Sequence, residues 1–516
     1  MHLRVILRNI FSNWASYLVT AVIGFLLAPV VVHSLGNTGY GLWTLVVSLT
    51  GYFGLLDLGI RSSVGRFVVR YLALNDEDNV NRTASTAFAI LAAGGTLALL
   101  ATLIVVNFLF GNFKVEPQFM SAGKTALLIT GVNMSCILPL SIFSAVLIAL
   151  ERYDILSGIT MSIEVIRATL VVVTLKLDSL SLDHKVVALA CIGLLITAIQ
   201  YTAMAMLAKK LYRPLRVSYR LVGSATFREL FGFGIYRFIW IVANQLIFYS
   251  DSVVIGIFLS AGAITYFAIG GQLISYGRSV VSLLTDTLVP TAARLDAKQD
   301  LPGLRKLLVS GTMMALIVAL PLCLGFLFLG KQFIVLWMGQ PYAASAVFLI
   351  VLTIPQFGSM SQYVSVLILA GMAKHKVLAY LVFVEGVANL LLSIFLVRKI
   401  GLIGVAWGTV IPDLIVTSLI VPAYTLRILK MDVRSYIVQA IARPVLCAIP
   451  VAVLAYAFSV LVETATWAVF AAEVAAMCFA FGVLAYFFCL NVQQRKSVTG
   501  AFVLVFRRRE AVVHGA

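Results

Sequence analysis

The chain has 516 residues, 61% of them apolar and 11% charged, with 38 Lys and Arg against 21 Asp and Glu for a formal net charge of +17. Soluble domains run nearer half apolar and a quarter charged, and the mean hydropathy here is +1.04, so a water-soluble globular enzyme is excluded. A basic balance of this size would point a soluble protein toward nucleic acid, but here the cations sit between apolar blocks, and no nucleic-acid partner is expected.

Those blocks run to roughly twenty residues, the length that crosses about 30 Å of hydrocarbon as helix. The first follows Met1 to Arg8 and begins near Asn13. It resembles a secretory signal, but it is too long and no small-residue cleavage site follows, so it is expected to be a retained helix. Fourteen membrane helices are predicted in all, at 13–33, 40–60, 85–111, 124–150, 159–177, 185–208, 231–258, 261–289, 306–330, 343–370, 377–397, 402–424, 437–461 and 466–490. An even number puts both termini on one side. With that side cytoplasmic, 28 Lys and Arg fall inside and 7 outside, the asymmetry that orients membrane proteins.

No connection is long enough for a soluble domain. The longest inside ones, 61–84 and 209–230, interleave Arg and Lys with apolar positions and are expected to lie along the headgroups. The six cysteines (Cys136, Cys191, Cys323, Cys447, Cys478 and Cys489) lie in apolar runs without C-x-x-C spacing, so neither a metal site nor a disulfide framework is expected. Nine of the 13 prolines, Pro355 and Pro412 among them, lie in or at the edges of spans. Neighbouring helices re-satisfy the carbonyls that proline frees, and both hinge roles and plain tolerance fit.

The 209–230 connection divides the first twelve spans into two sixes. Leu35-Gly36-Asn37-Thr38-Gly39-Tyr40 between spans one and two is faintly repeated by Leu259 to Tyr266 between seven and eight. Val146 to Leu150 closes span four as Val366 to Ala370 closes span ten. Six helices per half would make parallel repeats, a transporter architecture. The expected organisation is therefore an N-terminal bundle (1–208), a cytoplasmic linker (209–230), a C-terminal bundle (231–424), two appended helices (425–490) and a cytoplasmic tail (491–516).

The stretch Leu35-Gly36-Asn37-Thr38-Gly39-Tyr40-Gly41-Leu42-Trp43, followed by Ser48 to Ile60 with its Asp57-Leu58-Gly59-Ile60 ending, resembles the opening of the polysaccharide transporters. These are the Wzx-type lipid-linked oligosaccharide flippases of the multidrug/oligosaccharidyl-lipid/polysaccharide superfamily. Tyr249 to Gly256, around Asp251, is similar to that family's second half. The resemblance implies an all-α, MATE/MurJ-like polytopic membrane protein whose two pseudo-symmetric six-helix bundles flank a central cavity. It implies alternating access, and as cargo an oligosaccharide on polyprenyl pyrophosphate, a surface-polysaccharide (O-antigen or exopolysaccharide) repeat unit moved from the cytoplasmic to the outer leaflet. It also implies a bacterial inner membrane and a polysaccharide polymerase as a potential partner. A monomer without cofactor is expected, with H+ or Na+ as candidate coupling ions.

Ionisable side chains at membrane depth are costly and therefore functional candidates. Arg278 lies near the middle of span eight among polar and small neighbours, and a guanidinium offers phosphate a fixed fork of donors. Binding the cargo pyrophosphate and pairing with Asp251 or Asp286 both fit. Arg167 follows Glu164 by one turn, so self-neutralisation and a cargo role both fit, while Arg237 is close enough to a helix end to snorkel or to bind cargo. Glu385, Asp413, Asp251 and Asp286 are candidates for ion coupling or internal salt bridges, because a desolvated carboxylate carries a proton readily. Asp57 and Arg61 form a candidate cytoplasmic gate or a capping pair. No G-x-x-x-x-G-K-[ST] loop is present, which argues against nucleotide energy. The competing functions are a multidrug/cation antiporter of the same fold, disfavoured by an acid-free first span, an intramembrane glycan polymerase or ligase, disfavoured by short outer loops, and a scramblase or structural partner.

Overall fold

A computed structural model describes residues 3–177, 179–463, 466–490 and 495, with the backbone only at 3–7, 9, 10, 62, 232–237 and 375. Among the described residues every regular element is helical. In chain order these are α1 (Leu3–Gly51), α2 (Ile60–Ala73), α3 (Glu77–Ile104), α4 (Pro117–Ala149), α5 (Tyr153–Leu175), α6 (Leu182–Leu211), α7 (Ser224–Phe258), α8 (Ala261–Thr285), α9 (Leu288–Ala297) and α10 (Leu301–Phe328). There follow α11 (Gly330–Met338), α12 (Ser345–Thr353), α13 (Gln356–Gly371), α14 (His375–Ile400), α15 (Leu402–Ile415), α16 (Val421–Ile428), α17 (Val433–Tyr436), α18 (Arg443–Leu461) and α19 (Trp467–Phe488).

Eleven of the described helices are long and apolar enough to cross a membrane, twelve if α12 and α13 are one bent span. That criterion does not return fourteen, for two physical reasons. α1 carries predicted spans one and two without a gap, turning at Gly36 with φ 67 and ψ 179, a conformation that glycine alone reaches without strain. α8 holds Gln272, Tyr276 and Arg278, which dilute its apolar character, and it is not among the eleven. Both features belong to a polytopic, all-helical membrane fold.

The faint sequence repeat has a structural counterpart. A short amphipathic helix, α2 or α9, leads into Asn75 or Gln299, each with φ 54. The next residue is an aspartate whose amide donates five residues back, Asp76 to the Tyr71 carbonyl at 3.0 Å and Asp300 to the Leu295 carbonyl at 3.0 Å. Each aspartate then caps the following helix, accepting from the Asn79 amide at 3.0 Å or the Gly303 amide at 2.9 Å. Such caps satisfy amides that the first helical turn leaves orphaned. The Asn79 backbone and side-chain N–H groups hold the Asp76 carboxyl below the ordinary carboxylate range. Likewise Glu151 (φ 58) follows the end of α4 and Ala373 (φ 55) the end of α13, with the Arg152 and Lys374 amides each donating five residues back, at 3.0 and 2.9 Å.

The chain forms two compact units, each interrupted in sequence: Met1–Tyr276 with His375–Val416, and Gly277–Lys374 with Thr417–Ala516. Residues 231–276 and 375–416 therefore belong to the first unit. One of its cores packs Ile60, Val64 and Val68 of α2 against Val80, Ala84 and Leu91 of α3, with Leu138 and Ile142 of α4. The 209–230 connection is clamped along the start of α3 rather than merely lying on headgroups. Asn81 Nδ2 donates to the Pro214 carbonyl at 3.0 Å, and Asn81 Oδ1 accepts from the Arg216 amide at 2.8 Å. Thr86 Oγ1 accepts from the Gly223 amide at 3.2 Å. The second unit is centred on α10, whose apolar window is 56% buried, against 17% for α5 in the first. Leu316, Leu320 and Leu324 of α10 meet Val451 and Ala455 of α18 and Phe481 of α19. Lipid is as apolar as these side chains, so shape-matched packing holds them together rather than escape from water.

Candidate functional site

Helix breaks at membrane depth are where a transporter exposes polar backbone to cargo. In the second unit, α12 ends at Thr353 and α13 starts at Gln356, and the two helices are bent by 48° around Pro355. Arg278, half-buried on α8, donates from Nε to Gln356 Oε1 at 2.8 Å, in the first turn of α13. The Pro355 carbonyl accepts from the Ser359 amide at 2.8 Å and from Ser359 Oγ at 3.1 Å, so α13 restarts directly after the proline. One turn further, Gln362 Oε1 accepts from Ser365 Oγ at 3.1 Å and from the Tyr436 hydroxyl at 3.1 Å, and that hydroxyl lies 3.0 Å from Thr312 Oγ1. A guanidinium thus sits at the start of a buried polar strip along α13. On the same unit Asp286 accepts from the Tyr363 hydroxyl at 3.1 Å.

The first unit holds a second polar site. Asp251 of α7 is 6% exposed. Its Oδ2 accepts from Thr409 Oγ1 at 2.8 Å, and its Oδ1 from Ser393 Oγ at 3.4 Å. The Val405 carbonyl lies 3.3 and 3.4 Å from those two hydroxyl oxygens, and beside them Ser250 Oγ donates to Asn389 Oδ1 at 3.2 Å. The residues come from α14 at i and i+4 (Asn389, Ser393) and from α15 at i and i+4 (Val405, Thr409), so each helix presents one face to α7. This oxygen set, with a single carboxylate, suits a proton or a small hard monovalent cation. Among the described residues no three His, Cys, Asp or Glu side chains gather as a metal site would require. Asn389 is visible in the sequence as a neighbour of Glu385. The hydroxyls of Ser393 and Thr409 are not flagged there, and their i+4 spacing from another polar or backbone ligand is the signal that would have found them.

Arg167 and Glu164 form the i,i+3 ion pair, with Nη2 at 2.6 Å and Nε at 2.9 Å from the same carboxylate oxygen. Arg167 also lines a cavity of about 250 Å³ among α1, α4, α5 and α6. Glu385 and Asp413 are buried, on α14 and α15. Asp57 ends a tight helical turn (Tyr52–Asp57), after which Leu58 (φ 52) and Gly59 (φ 75) turn the chain through left-handed backbone into α2, where Arg61 is exposed. That turn gives the Asp57-Leu58-Gly59-Ile60 stretch its glycine. The side chain of Arg237 lies outside the described residues.

The two sequence-matched corners meet each other. Thr265 Oγ1 donates to the Asn37 carbonyl at 2.6 Å, and a Cβ on Gly41 would sit 1.8 Å from the Ala261 carbonyl oxygen. The α3–α4 connection closes over them. Lys114 Nζ donates to the Phe258 carbonyl at 2.7 Å, its amide donates to the Gly256 carbonyl at 2.8 Å, and its own carbonyl accepts from the Ala261 amide at 3.2 Å. These bonds tie the two corners and the α3–α4 connection to one another.

A sequence profile described as polysaccharide biosynthesis protein matches residues 6–296, more than half of the chain. The chain belongs to that family. A putative O-antigen transporter of Shigella flexneri is 22% identical to this polysaccharide biosynthesis protein over 413 residues, covering 78% of this chain and 93% of the relative. Among solved structures, a lipid II flippase, MurJ, in an inward closed conformation superposes with a TM-score of 0.72 at 14% identity, over 92% of this chain and 98% of that one. An inward-facing multidrug resistance MATE transporter of the MOP superfamily gives 0.67 at 13% identity, over 80% and 94%. At such identities the structures establish the fold, and the chain is a polytopic membrane protein of that fold.

Proposed function

We propose that this member of the family flips a polyprenyl-pyrophosphate-linked oligosaccharide from the cytoplasmic to the outer leaflet of a bacterial inner membrane, with both termini cytoplasmic. Transport would proceed by alternating access coupled to an ion. The observation that carries this reading is Arg278 at the start of α13. The guanidinium is oriented through Nε by the Gln356 side-chain amide beside a helix break, and a guanidinium offers phosphate a fixed fork of donors. Arg167 is committed to Glu164, so the pyrophosphate role falls first to Arg278. The Asp251 cluster is the natural seat of the coupling proton or Na+, since uptake by one carboxylate and release of its hydroxyl bonds give two states for a gradient to bias. The bonded Asn37–Thr265 corner fits a state closed to the outside, which cargo release would have to open.

The test is translocation in proteoliposomes of a fluorescent polyprenyl-pyrophosphate oligosaccharide, with and without imposed H+ or Na+ gradients, and with a cationic dye as control. Glycolipid movement that Arg278→Ala abolishes, and that Asp251→Asn uncouples from the gradient, is the expected result. Dye export without glycolipid movement would replace this function with the multidrug/cation antiporter.

A further inference from the structure

The cavity in the first unit is not accounted for by a phosphate site or by ion coupling. Its walls bring together groups of distinct chemistry: the indole of Trp43 on α1, Thr130 and Asn133 on α4, and Arg167 on α5, closed by Gly193 on α6. Asn133 Oδ1 is fully buried, and no described protein group donates a hydrogen bond to it. A buried amide carbonyl in that condition calls for a donor. Arg167 spends two contacts on Glu164, from Nε and Nη2, and a guanidinium has five N–H groups, so it has donors beyond that pair. The pair itself leaves the wall formally neutral, which disfavours both a cation and a phosphate. At about 250 Å³ the space is slightly below the roughly 300–1,000 Å³ typical of pockets for drug-sized ligands.

A flat indole face, an acceptor wanting a hydroxyl, donors for a ring or hydroxyl oxygen, and room for one small ring describe a neutral pyranose. We propose that this cavity is a sugar subsite, which takes one neutral hexose ring of the transported glycan while the lipid phosphate is held elsewhere. This inference rests on the flippase function proposed above and adds to it a recognition element for the carbohydrate. Trp43 supplies the apolar platform for the ring's C–H face, Asn133 accepts from a sugar hydroxyl, and Arg167 donates to a sugar oxygen. The site has a built-in filling position. A Cβ on Gly193 would find only Asn133 Nδ2 within 4 Å, at 3.9 Å, so there is room for a methyl, and a longer side chain would extend from it at the wall of the cavity.

The experiment is ligand-observed saturation-transfer NMR on the full-length protein in phospholipid nanodiscs, free of sugar-headed detergents. The probes are methyl glucoside, methyl galactoside, methyl mannoside and methyl N-acetylglucosaminide. At least one is expected to receive saturation above empty nanodiscs, undiminished by inorganic pyrophosphate. Gly193→Leu and Asn133→Leu should each reduce that signal at least fivefold. Gly193→Ala, for which the structure has room, should reduce it partially, and that variant keeps the test valid should the leucine variants misfold on size-exclusion and melting. No signal from any probe, signal surviving all three substitutions, or displacement by pyrophosphate would each overturn the sugar site. Glycolipid translocation separates the two proposals. Wild-type movement retained in full by the Gly193 variants sinks the sugar site and leaves the flippase standing. Absence of wild-type movement sinks the flippase, whereas glycoside binding is read independently of it.

Discussion

Arg167 and Arg278 both lie inside long helices, on α5 and α8, yet the molecule treats them differently. Arg167 sits in an uninterrupted helix and gives Nε and Nη2 to a carboxylate one turn earlier on that same helix. Arg278 reaches an amide 78 residues further on, at the restart of a broken helix. A carboxylate cancels the charge it binds, while an amide only fixes the direction of the fork. The difference separates an arginine held by its own helix from one that ties its helix to a break in another, both at the desolvation cost that intramembrane charges carry.

The largest expected effect follows directly. Charge-assisted hydrogen bonds contribute about 1.5–3 kcal/mol, and each 1.4 kcal/mol or so is tenfold in affinity. Arg278→Ala should therefore weaken pyrophosphate binding to the purified protein by roughly ten- to a hundredfold, measured by calorimetry, whereas Arg167→Ala should change it less than about twofold. Equal losses in the two variants would erase the distinction. Next in size is Gln356→Leu, which removes the acceptor that orients Arg278 Nε. A loss of about two- to tenfold is expected, the range of one ordinary intramolecular hydrogen bond at about 0.5–1.5 kcal/mol, and an unchanged affinity would mean that the amide has no positioning role. Arg278→Lys should cost less, about three- to fivefold, because Lys keeps the charge and loses the bidentate fork. A full loss in that variant would assign recognition to geometry alone.

The same contrast explains what could be read in advance. The Glu164–Arg167 pair was legible because its two residues are three apart on one helix, and local spacing alone brings them together. The helices themselves were legible because their apolar runs match the bilayer. The Leu35–Tyr40 and Leu259–Tyr266 corners could be recognised as similar, but their hydrogen bond from Thr265 to Asn37 joins residues 228 apart and has no local signature. Neither the Arg278–Gln356 contact nor the gathering of Ser393 and Thr409 on Asp251 was predictable, because serine, threonine and glutamine in membrane helices more often bond their own backbone. Thr409 does both, reaching Asp251 at 2.8 Å and the Val405 carbonyl at 3.3 Å. Asn81 illustrates the limit from the other side. In the sequence it is one polar residue of the triplet Asn81-Arg82-Thr83, and in the structure it is the clamp that holds the 209–230 connection to α3.

The smallest effect is also the most discriminating about Arg167. Its side chain is 34% exposed and that of Glu164 20%, so the pair is neither a surface bridge nor a fully buried one. Exposed pairs contribute about 0.2–1 kcal/mol, and partial burial puts this one toward the upper end. A double-mutant cycle of Glu164→Gln and Arg167→Met, read by thermal unfolding in detergent, should give a coupling of about 0.5–1 kcal/mol. The single variant Glu164→Gln is the informative arm. It leaves the guanidinium in place without its carboxylate, so pyrophosphate affinity should rise at this variant if neutralisation alone keeps Arg167 out of phosphate recognition. Unchanged affinity would locate the difference between the two arginines in their surroundings, an intact helix against a broken one, rather than in the partner each has taken.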